Sequence, residues 1–206
     1  TYLTCEENWA GYFRRVTATD NPKRSAKELA SFSRYGVAGN GRELWATAVA
    51  ADPADTTFSR WDAEKLGTSA DGSDDFRNVA NTYGWVVEID PFATTSTPKK
   101  RTALGRFAHE GAWIGPVTAG KPLVFYSGDD SRNEYIYKYV STANWDPADA
   151  TKGLAAGDKY LDDGKLYVAK FNADGSGVWL ELRLGVNGIT GANPARRRRH
   201  AHAWGC

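Results

Sequence analysis

Residues 166–184 read LYVAKFNADGSGVWLELRL, and this stretch indicates the fold class. The runs 166–171 and 178–184 are both rich in aliphatic and aromatic residues, as β-strands are. Between them, Asp174 and Gly175 are typical of a tight hairpin turn, because glycine adopts a positive φ without strain. The stretch therefore predicts two antiparallel strands joined by a short turn.

Strand-like runs of the same kind recur along the chain, each bounded by turn residues. Besides the two above, they are residues 44–50, 85–90, 102–107, 123–127 and 135–140. The segments WVVEIDP, YIYKYVS and LYVAKFN are weakly similar to one another and recur at uneven spacing. Stacked propeller blades and a β-sandwich would both produce such a weak repeat. Only residues 25–35 (SAKELASFSRY) predict a helix. We therefore predict an all-β protein of mostly antiparallel short strands with one short helix.

The charge of the chain is nearly balanced overall but uneven along its length. There are 26 basic and 25 acidic residues, and four of the basic ones are the arginines at 196–199, so residues 1–193 hold 22 basic against 25 acidic residues, a net charge of −3. This balance argues against a nucleic-acid-binding body. No apolar run is long enough to cross a bilayer. Two cysteines, Cys5 and Cys206, do not make a disulfide scaffold.

The last thirteen residues, 194–206, read PARRRRHAHAWGC and show no strand or helix pattern. A basic tail of this kind can bind acidic partners. It can equally arise from a frameshift near the end of a partial gene. We predict one domain over residues 1–193 and an aberrant basic tail over 194–206 that is not part of the fold.

The segment TCEENWAGYF, near the start of the chain, places Cys5 directly before Glu6 and Glu7. A thiolate can hold a transition metal, and neighbouring carboxylates can hold a hard cation beside it. The alternative is a buried small thiol followed by two solvated acids. The local sequence leaves both interpretations open.

Two further segments carry candidate residues in the middle of the chain. Glu88 lies within the apolar run WVVEID, so it either faces water or is buried with a partner such as a metal cluster. In RFAHEGA, Arg106 can contact phosphate oxygens bidentately and Glu110 can bind a cation, with His109 between them. The zincin motif is excluded, because no second histidine follows four positions after His109.

The segment SGDDSRNEY follows a predicted strand and holds the acids Asp129, Asp130 and Glu134. Such a cluster at a glycine turn is typical of a hard-cation site, although turn-forming aspartates with a solvated glutamate are the alternative. The chain has no GxSxG elbow, no Walker loop and no GxGxxG motif. Serine hydrolase, P-loop and dinucleotide-binding functions therefore lose their usual support.

Taken in order, these segments resemble the PhoX family of bacterial alkaline phosphatases. The matching pieces are TCEENWAGYF, GWVVEIDPF, STPKKRTALGRFAHEGA, FYSGDDSRNEYIYKYVS and LYVAKFNADGSG. The resemblance implies a six-bladed β-propeller with a buried cluster of calcium and iron ions, which hydrolyses phosphate monoesters after export. Family members are much longer than 206 residues, so we expect this chain to be an internal piece that forms a partial propeller.

The resemblance also implies roles for individual residues. Six are expected to contribute to the metal cluster: Cys5, Glu6, Glu88, Glu110, Asp129 and Glu134. Cys5 would be a thiolate ligand to iron, Glu88 and Glu110 would be carboxylate ligands within the cluster, and the other three would lie near calcium. Arg106 and His109, on either side of Phe107 and Ala108, would hold the phosphate as catalytic residues.

The resemblance further implies a phosphomonoester substrate, no nucleic-acid or membrane partner, a monomer as the full-length protein, and a periplasmic or secreted location. A non-catalytic propeller that binds or scaffolds, with its carboxylates in solvated loops, is the alternative. The phosphatase and the non-catalytic propeller are hypotheses that differ in geometry, because only a metal cluster requires Cys5, Glu88 and Glu110 to converge near the propeller axis. We expect little phosphatase activity from the isolated chain, because much of the ring is absent.

Overall fold

The computed structural model describes residues 1–190. These residues form two compact units, Asn8–Tyr83 and a second made of Thr1–Glu7 together with residues 84–190. The predicted boundary at residue 193 and the basic tail 194–206 lie outside the described residues. No helix among the described residues is long and apolar enough to cross a membrane.

The unit Asn8–Tyr83 holds two helices, α1 (Thr17–Asp20) and α2 (Ala26–Tyr35). The predicted helix is α2, which begins with a capping box between Ser25 and Glu28 and ends at Gly36, with a φ of 74° that glycine tolerates. The buried core of the unit is half aromatic and consists of Trp9, Phe13, Phe32, Val37, Ala63 and Ala80.

The predicted strand at residues 44–50 is wrong. The segment contains a 3-10 helix, Trp45–Thr47, preceded by Leu44 with a φ of 61° that no strand allows. The Trp45 ring packs edge-on against Tyr12 and Trp61, with centroids 4.9 Å and 5.5 Å away. Aromatic packing, and not strand pairing, therefore explains the apolar residues in this segment.

The second unit contains a three-stranded antiparallel sheet in the order β1-β2-β3. Its strands are β1 (Tyr2–Cys5), β2 (Val86–Ile89) and β3 (Lys99–Lys100). Cys5 pairs with Val86, so residues 8–83 lie between the two partner strands in the chain.

The same unit contains a five-stranded antiparallel sheet whose strands follow one another in chain order. They are β4 (His109–Ile114), β5 (Pro122–Asp129), β6 (Ile136–Asn144), β7 (Gly164–Phe171) and β8 (Gly177–Glu181). The turn between β7 and β8 holds Gly175 at a φ of 82°, as the opening stretch predicts. This up-and-down order is that of a propeller blade with one extra strand.

Helix α3 (Leu154–Leu161) lies between β6 and β7 in the chain, and sequence analysis did not predict it. Its residues Tyr160 and Leu161 belong to a core that also contains Val86, Leu104, Leu123, Phe125 and Tyr139. The predicted strand at 102–107 is wrong, because it begins with a 3-10 helix, Thr102–Leu104, that ends at Gly105. The fold-class prediction itself is confirmed: short antiparallel strands in two sheets dominate, with few short helices.

The remaining helical segments are single 3-10 turns. They are Trp9–Tyr12, Asn21–Lys23, Ser59–Trp61, Val79–Thr82 and Pro147–Asp149.

Candidate functional site

A cleft of about 410 Å³ lies between the edge strands β1 and β4. One wall is formed by the four residues of β1, Tyr2 to Cys5, and the other by Glu110, Gly111, Ala112 and Trp113 of β4. Two residues predicted as metal ligands, Cys5 and Glu110, therefore line one cleft.

A main-chain hydrogen bond holds the two walls together at one end of the cleft. The N–H of His109 donates to the carbonyl oxygen of Glu6 at 3.3 Å. The same N–H also donates to the carbonyl oxygen of Phe107, in a bifurcated hydrogen bond. Cys5 directly precedes Glu6, and Glu110 directly follows His109. Cys5 and Glu110 are thus each adjacent in the chain to one member of this hydrogen-bonded pair.

The side chain of Glu6 is taken up by the protein itself. Its Oε2 accepts the main-chain N–H groups of Gly84 and Trp85 at 2.9 Å and 3.0 Å, and its Oε1 pairs with Nζ of Lys100 at 2.7 Å. These contacts tie the residue after Cys5 to the two residues before β2 and to β3. Glu6 does not line the cleft, and its predicted place near calcium stays a prediction.

Glu110 is an exposed residue at a β-bulge. His109 pairs with Asp129 and Gly111 pairs with Gly128, so Glu110 is an extra residue with no partner position on β5. A Cβ at position 111 would overlap the ring of Trp113, so glycine there lets the indole lie along the cleft wall. The bulge presents a carboxylate to solvent at the cleft.

Cys5 is half-buried and packs against the core on the same sheet face as Val86. Burial raises the pKa of the Cys5 thiol, so the protonated form dominates at neutral pH. Thiolate is the form that binds iron, and a cation in the cleft would favour it by its positive charge. Cys5 is therefore suited to bind a metal only as the thiolate, which the bound metal itself stabilises.

Glu88 lies outside the cleft and is 2% exposed. Its Oε2 accepts from Nε of Arg101 at 2.7 Å, and Arg101 also reaches Asp158 and Asp162 of the α3 region at 2.9 Å and 2.8 Å. Burial alone would lower the pKa of Arg101, but hydrogen bonds with Asp158, Glu88 and Asp162 outweigh it and raise that pKa. The buried carboxylate thus has a cationic partner within the protein.

His109 is completely buried, and both ring nitrogens contact protein groups. Nδ1 lies 2.8 Å from the hydroxyl of Ser127, and Nε2 lies 2.9 Å from the carbonyl oxygen of Gly105. Burial lowers the pKa of His109 to about 4, so the ring is neutral at pH 7. The buried ring does not line the cleft, and its predicted contact with phosphate stays a prediction. Arg106, which the resemblance predicts to hold the phosphate together with His109, is half-buried.

Asp129 and Glu134 lie at the end of β5 and in the loop after it, and both are half-buried. Asp129 Oδ1 accepts the N–H of Ser131 at 3.1 Å, and the N–H of Glu134 donates to the Ser131 carbonyl at the same distance. Neither residue lines the cleft. Their predicted roles near calcium stay predictions.

Of the three residues expected to converge, the structure brings Cys5 and Glu110 to one cleft and leaves Glu88 outside it. Within residues 1–190, no three His, Cys, Asp or Glu side chains come together as a metal site. A thiol and an exposed carboxylate fit part of an iron and calcium site, with the soft ligand for iron and the hard one for calcium. Further ligands would have to come from elsewhere.

Comparison with known proteins identifies the family. The model of the alkaline phosphatase PhoX family matches residues 1–206. The chain belongs to the PhoX family. A solved structure of Pseudomonas fluorescens PhoX in complex with vanadate, a transition state analogue, is 40% identical, with a TM-score of 0.71. The match covers 94% of this chain and 30% of that chain, so this PhoX chain spans under a third of that relative. No match was found among curated proteins.

Proposed function

We propose that this PhoX chain supplies part of the active site of a metal-dependent phosphatase that hydrolyses phosphate monoesters, with calcium and iron as cofactors. The observation that carries the proposal is the cleft shared by Cys5 and Glu110. The family and the vanadate complex of the relative support the reaction class, because vanadate mimics a phosphoryl group in its transition state.

The chain's own residues would have three tasks at this site. Cys5 and Glu110 would hold iron and calcium, respectively, from opposite walls of the cleft. Glu6, through Lys100 and the Gly84 amide, keeps the segment after Cys5 in place. When bound, the metal ions supply the positive charge that stabilises a phosphoryl transition state and a nucleophile at ordinary pH.

Arg106 is the residue of this chain proposed to hold a phosphate oxygen. A guanidinium offers two parallel N–H donors to phosphate and stays charged at every working pH. His109 is less suited to this task, since its ring is buried and neutral. The proposed phosphate contact therefore rests on Arg106 alone.

The test is a graft of this chain in place of the matching segment of Pseudomonas fluorescens PhoX. We expect the graft to hydrolyse p-nitrophenyl phosphate, to be inhibited by vanadate, and to contain iron and calcium by elemental mass spectrometry. Cys5→Ser should lose iron and activity, and Glu110→Gln should lose calcium and activity. Cys206→Ser and Asp163→Asn are the matched controls and should retain both.

Two outcomes would contradict the proposal. A folded graft that binds no iron or calcium would favour the non-catalytic binding propeller. A graft whose metal content and activity survive both Cys5→Ser and Glu110→Gln would show that the cleft is not the site. Circular dichroism of each variant establishes that it is folded.

Export to the periplasm or the medium, and a monomeric state of the full-length protein, are further parts of the proposal. They rest on the family resemblance. Cell fractionation and sedimentation velocity of the full-length protein test them, and a cytoplasmic or oligomeric protein would contradict them.

A further inference from the structure

The bulge that presents Glu110 is backed by a buried chain of polar contacts. The hydroxyl of Ser127 on β5 donates to the carbonyl oxygen of Gly111 at 2.5 Å and lies 2.8 Å from Nδ1 of His109. His109 and Gly111 are the residues immediately before and after Glu110. One hydroxyl group therefore contacts both sides of the bulge.

The His109 ring is fixed on its remaining sides as well. Nε2 contacts the carbonyl oxygen of Gly105 at 2.9 Å. The Phe107 ring stacks on the imidazole with centroids 3.6 Å apart, and the Tyr137 ring stacks on Phe107 at 4.2 Å. Side chains locked by packing and hydrogen bonds hold functional groups more precisely than side chains on loops.

The main chain of His109 extends the same arrangement to β1. Its N–H donates to the carbonyl oxygen of Glu6, the residue after Cys5. His109 thus contacts Glu6, the residue after β1, through its backbone, and β5 and the 105–107 turn through its ring. These contacts set the spacing between the Cys5 wall and the Glu110 wall.

We propose that His109 and Ser127 are positioning residues that fix the bulge and so hold the Glu110 carboxylate at the cleft opposite Cys5. This inference deepens the proposed function and rests on it, because it takes Glu110 to be a metal ligand. Neither residue lines the cleft. Outer partners of metal ligands typically contribute about 10–100-fold in metal affinity.

The test uses the graft in Pseudomonas fluorescens PhoX, which supplies the further ligands, and calcium ions alone, in a double-mutant cycle. We expect Ser127→Ala to weaken calcium binding by about 10–100-fold in titration calorimetry. In a Glu110→Gln background the same change should have no further effect, because the brace, formed by the contacts of Ser127 with His109 and Gly111, acts through Glu110. An equal loss in both backgrounds would overturn the proposal, since a merely structural serine behaves that way.

Ser141→Ala is the matched control. Ser141 is also a buried serine, its hydroxyl donates to the Ala143 carbonyl and accepts from the Leu123 N–H, and it does not line the cleft. We expect this variant to bind calcium as the wild type does. Ser127→Thr, which retains the hydroxyl and borders a small void, should bind calcium more tightly than Ser127→Ala. If Ser141→Ala weakened calcium binding as much as Ser127→Ala does, the result would contradict the proposal.

Hydrogen exchange of the metal-free chain separates this inference from the proposed function. Loss of the brace should speed exchange of the His109 and Gly111 amides by at least about tenfold in Ser127→Ala and not in Ser141→Ala. Unchanged exchange at both amides overturns the bracing role, whatever the calcium result. If Glu110→Gln binds calcium as well as the wild type, the metal role of Glu110 fails, and exchange alone then decides whether the brace exists.

Discussion

Glu88 and Arg101 form an ion pair in which the two side chains are 2% and 1% exposed. Removal of one partner from a buried pair leaves an uncompensated charge. Arg101 also contacts Asp158 and Asp162, so the pair links β2 to the α3 region and gives the buried Glu88 carboxylate a cationic protein partner.

Replacement of Glu88 by alanine should lower the free energy of unfolding by about 3–5 kcal/mol, because Arg101 would stay buried without its partner. Urea denaturation followed by circular dichroism measures this change. Lys99→Ala, which breaks an exposed pair with Asp158, should cost less than about 1 kcal/mol. If Glu88→Ala left stability unchanged but removed iron or calcium from the graft, Glu88 would be a ligand after all.

Gly157→Ala in α3 should destabilise the protein by about 1–3 kcal/mol, as overpacking does. A Cβ at this position would overlap the Glu88 carboxylate and the Arg101 guanidinium. The sign is diagnostic, because glycine to alanine in a helix normally stabilises by up to about 1 kcal/mol. The double variant Gly157→Ala with Glu88→Ala should show a smaller additional loss, and strict additivity in urea denaturation would contradict the overlap.

Glu6→Gln should reduce stability by about 1–3 kcal/mol, because the charged acceptor of the Gly84 and Trp85 amides and of Lys100 is lost. Thermal denaturation of the metal-free chain measures the effect without any contribution from bound ions. Asp163→Asn, at an exposed side chain, should leave the midpoint unchanged. A Glu6→Gln midpoint equal to that of the wild type would contradict this structural role of Glu6.

Asp75 should make the protein sensitive to acid. Burial alone would raise its pKa, but hydrogen bonds from Arg77, Gly67 and Leu66 hold that pKa well below its usual range. The carboxylate thus stabilises the fold above about pH 4, the unfolded-state value, and this stability is lost as the pH falls further.

Asp75→Asn should accordingly be less stable than the wild type at pH 7 and should lose less stability between about pH 4 and pH 2. Urea midpoints across that range measure the slope. Asp163→Asn serves as the matched control and should follow the wild-type slope. A parallel slope for Asp75→Asn and the wild type would show that Asp75 does not carry this pH dependence.

The strands with clear apolar patterns were predictable from sequence. The runs 85–90, 123–127, 135–140, 166–171 and 178–184 correspond to β2, β5, β6, β7 and β8. Strand β4 was missed, because HEGAWI opens with two polar residues and a glycine and is interrupted by a bulge. Helix α3 was missed because it contains Gly157, a residue that lowers helix propensity but that the Glu88–Arg101 pair requires.

Only part of the candidate site could be predicted from the sequence. Cys5 and Glu110 stood out by residue type and motif, and they share the cleft. The partner of Glu88 was not visible, because Arg101 is placed by tertiary structure and no local spacing signals it. Ser127 lies in an ordinary apolar strand, FYSG, so nothing in the sequence marks its contact with His109.

The chain order of β1 and β2 has a consequence for how the protein is made. Cys5 pairs with Val86, so β1 leaves the ribosome long before its partner strand exists, and closing so long a loop is slow. Residues 8–83 form their own compact unit and have the contacts to fold during this interval. Until β2 and β4 follow, the Cys5 thiol has neither the core nor the facing wall to shield it, so oxidation of the nascent chain would damage this cleft first.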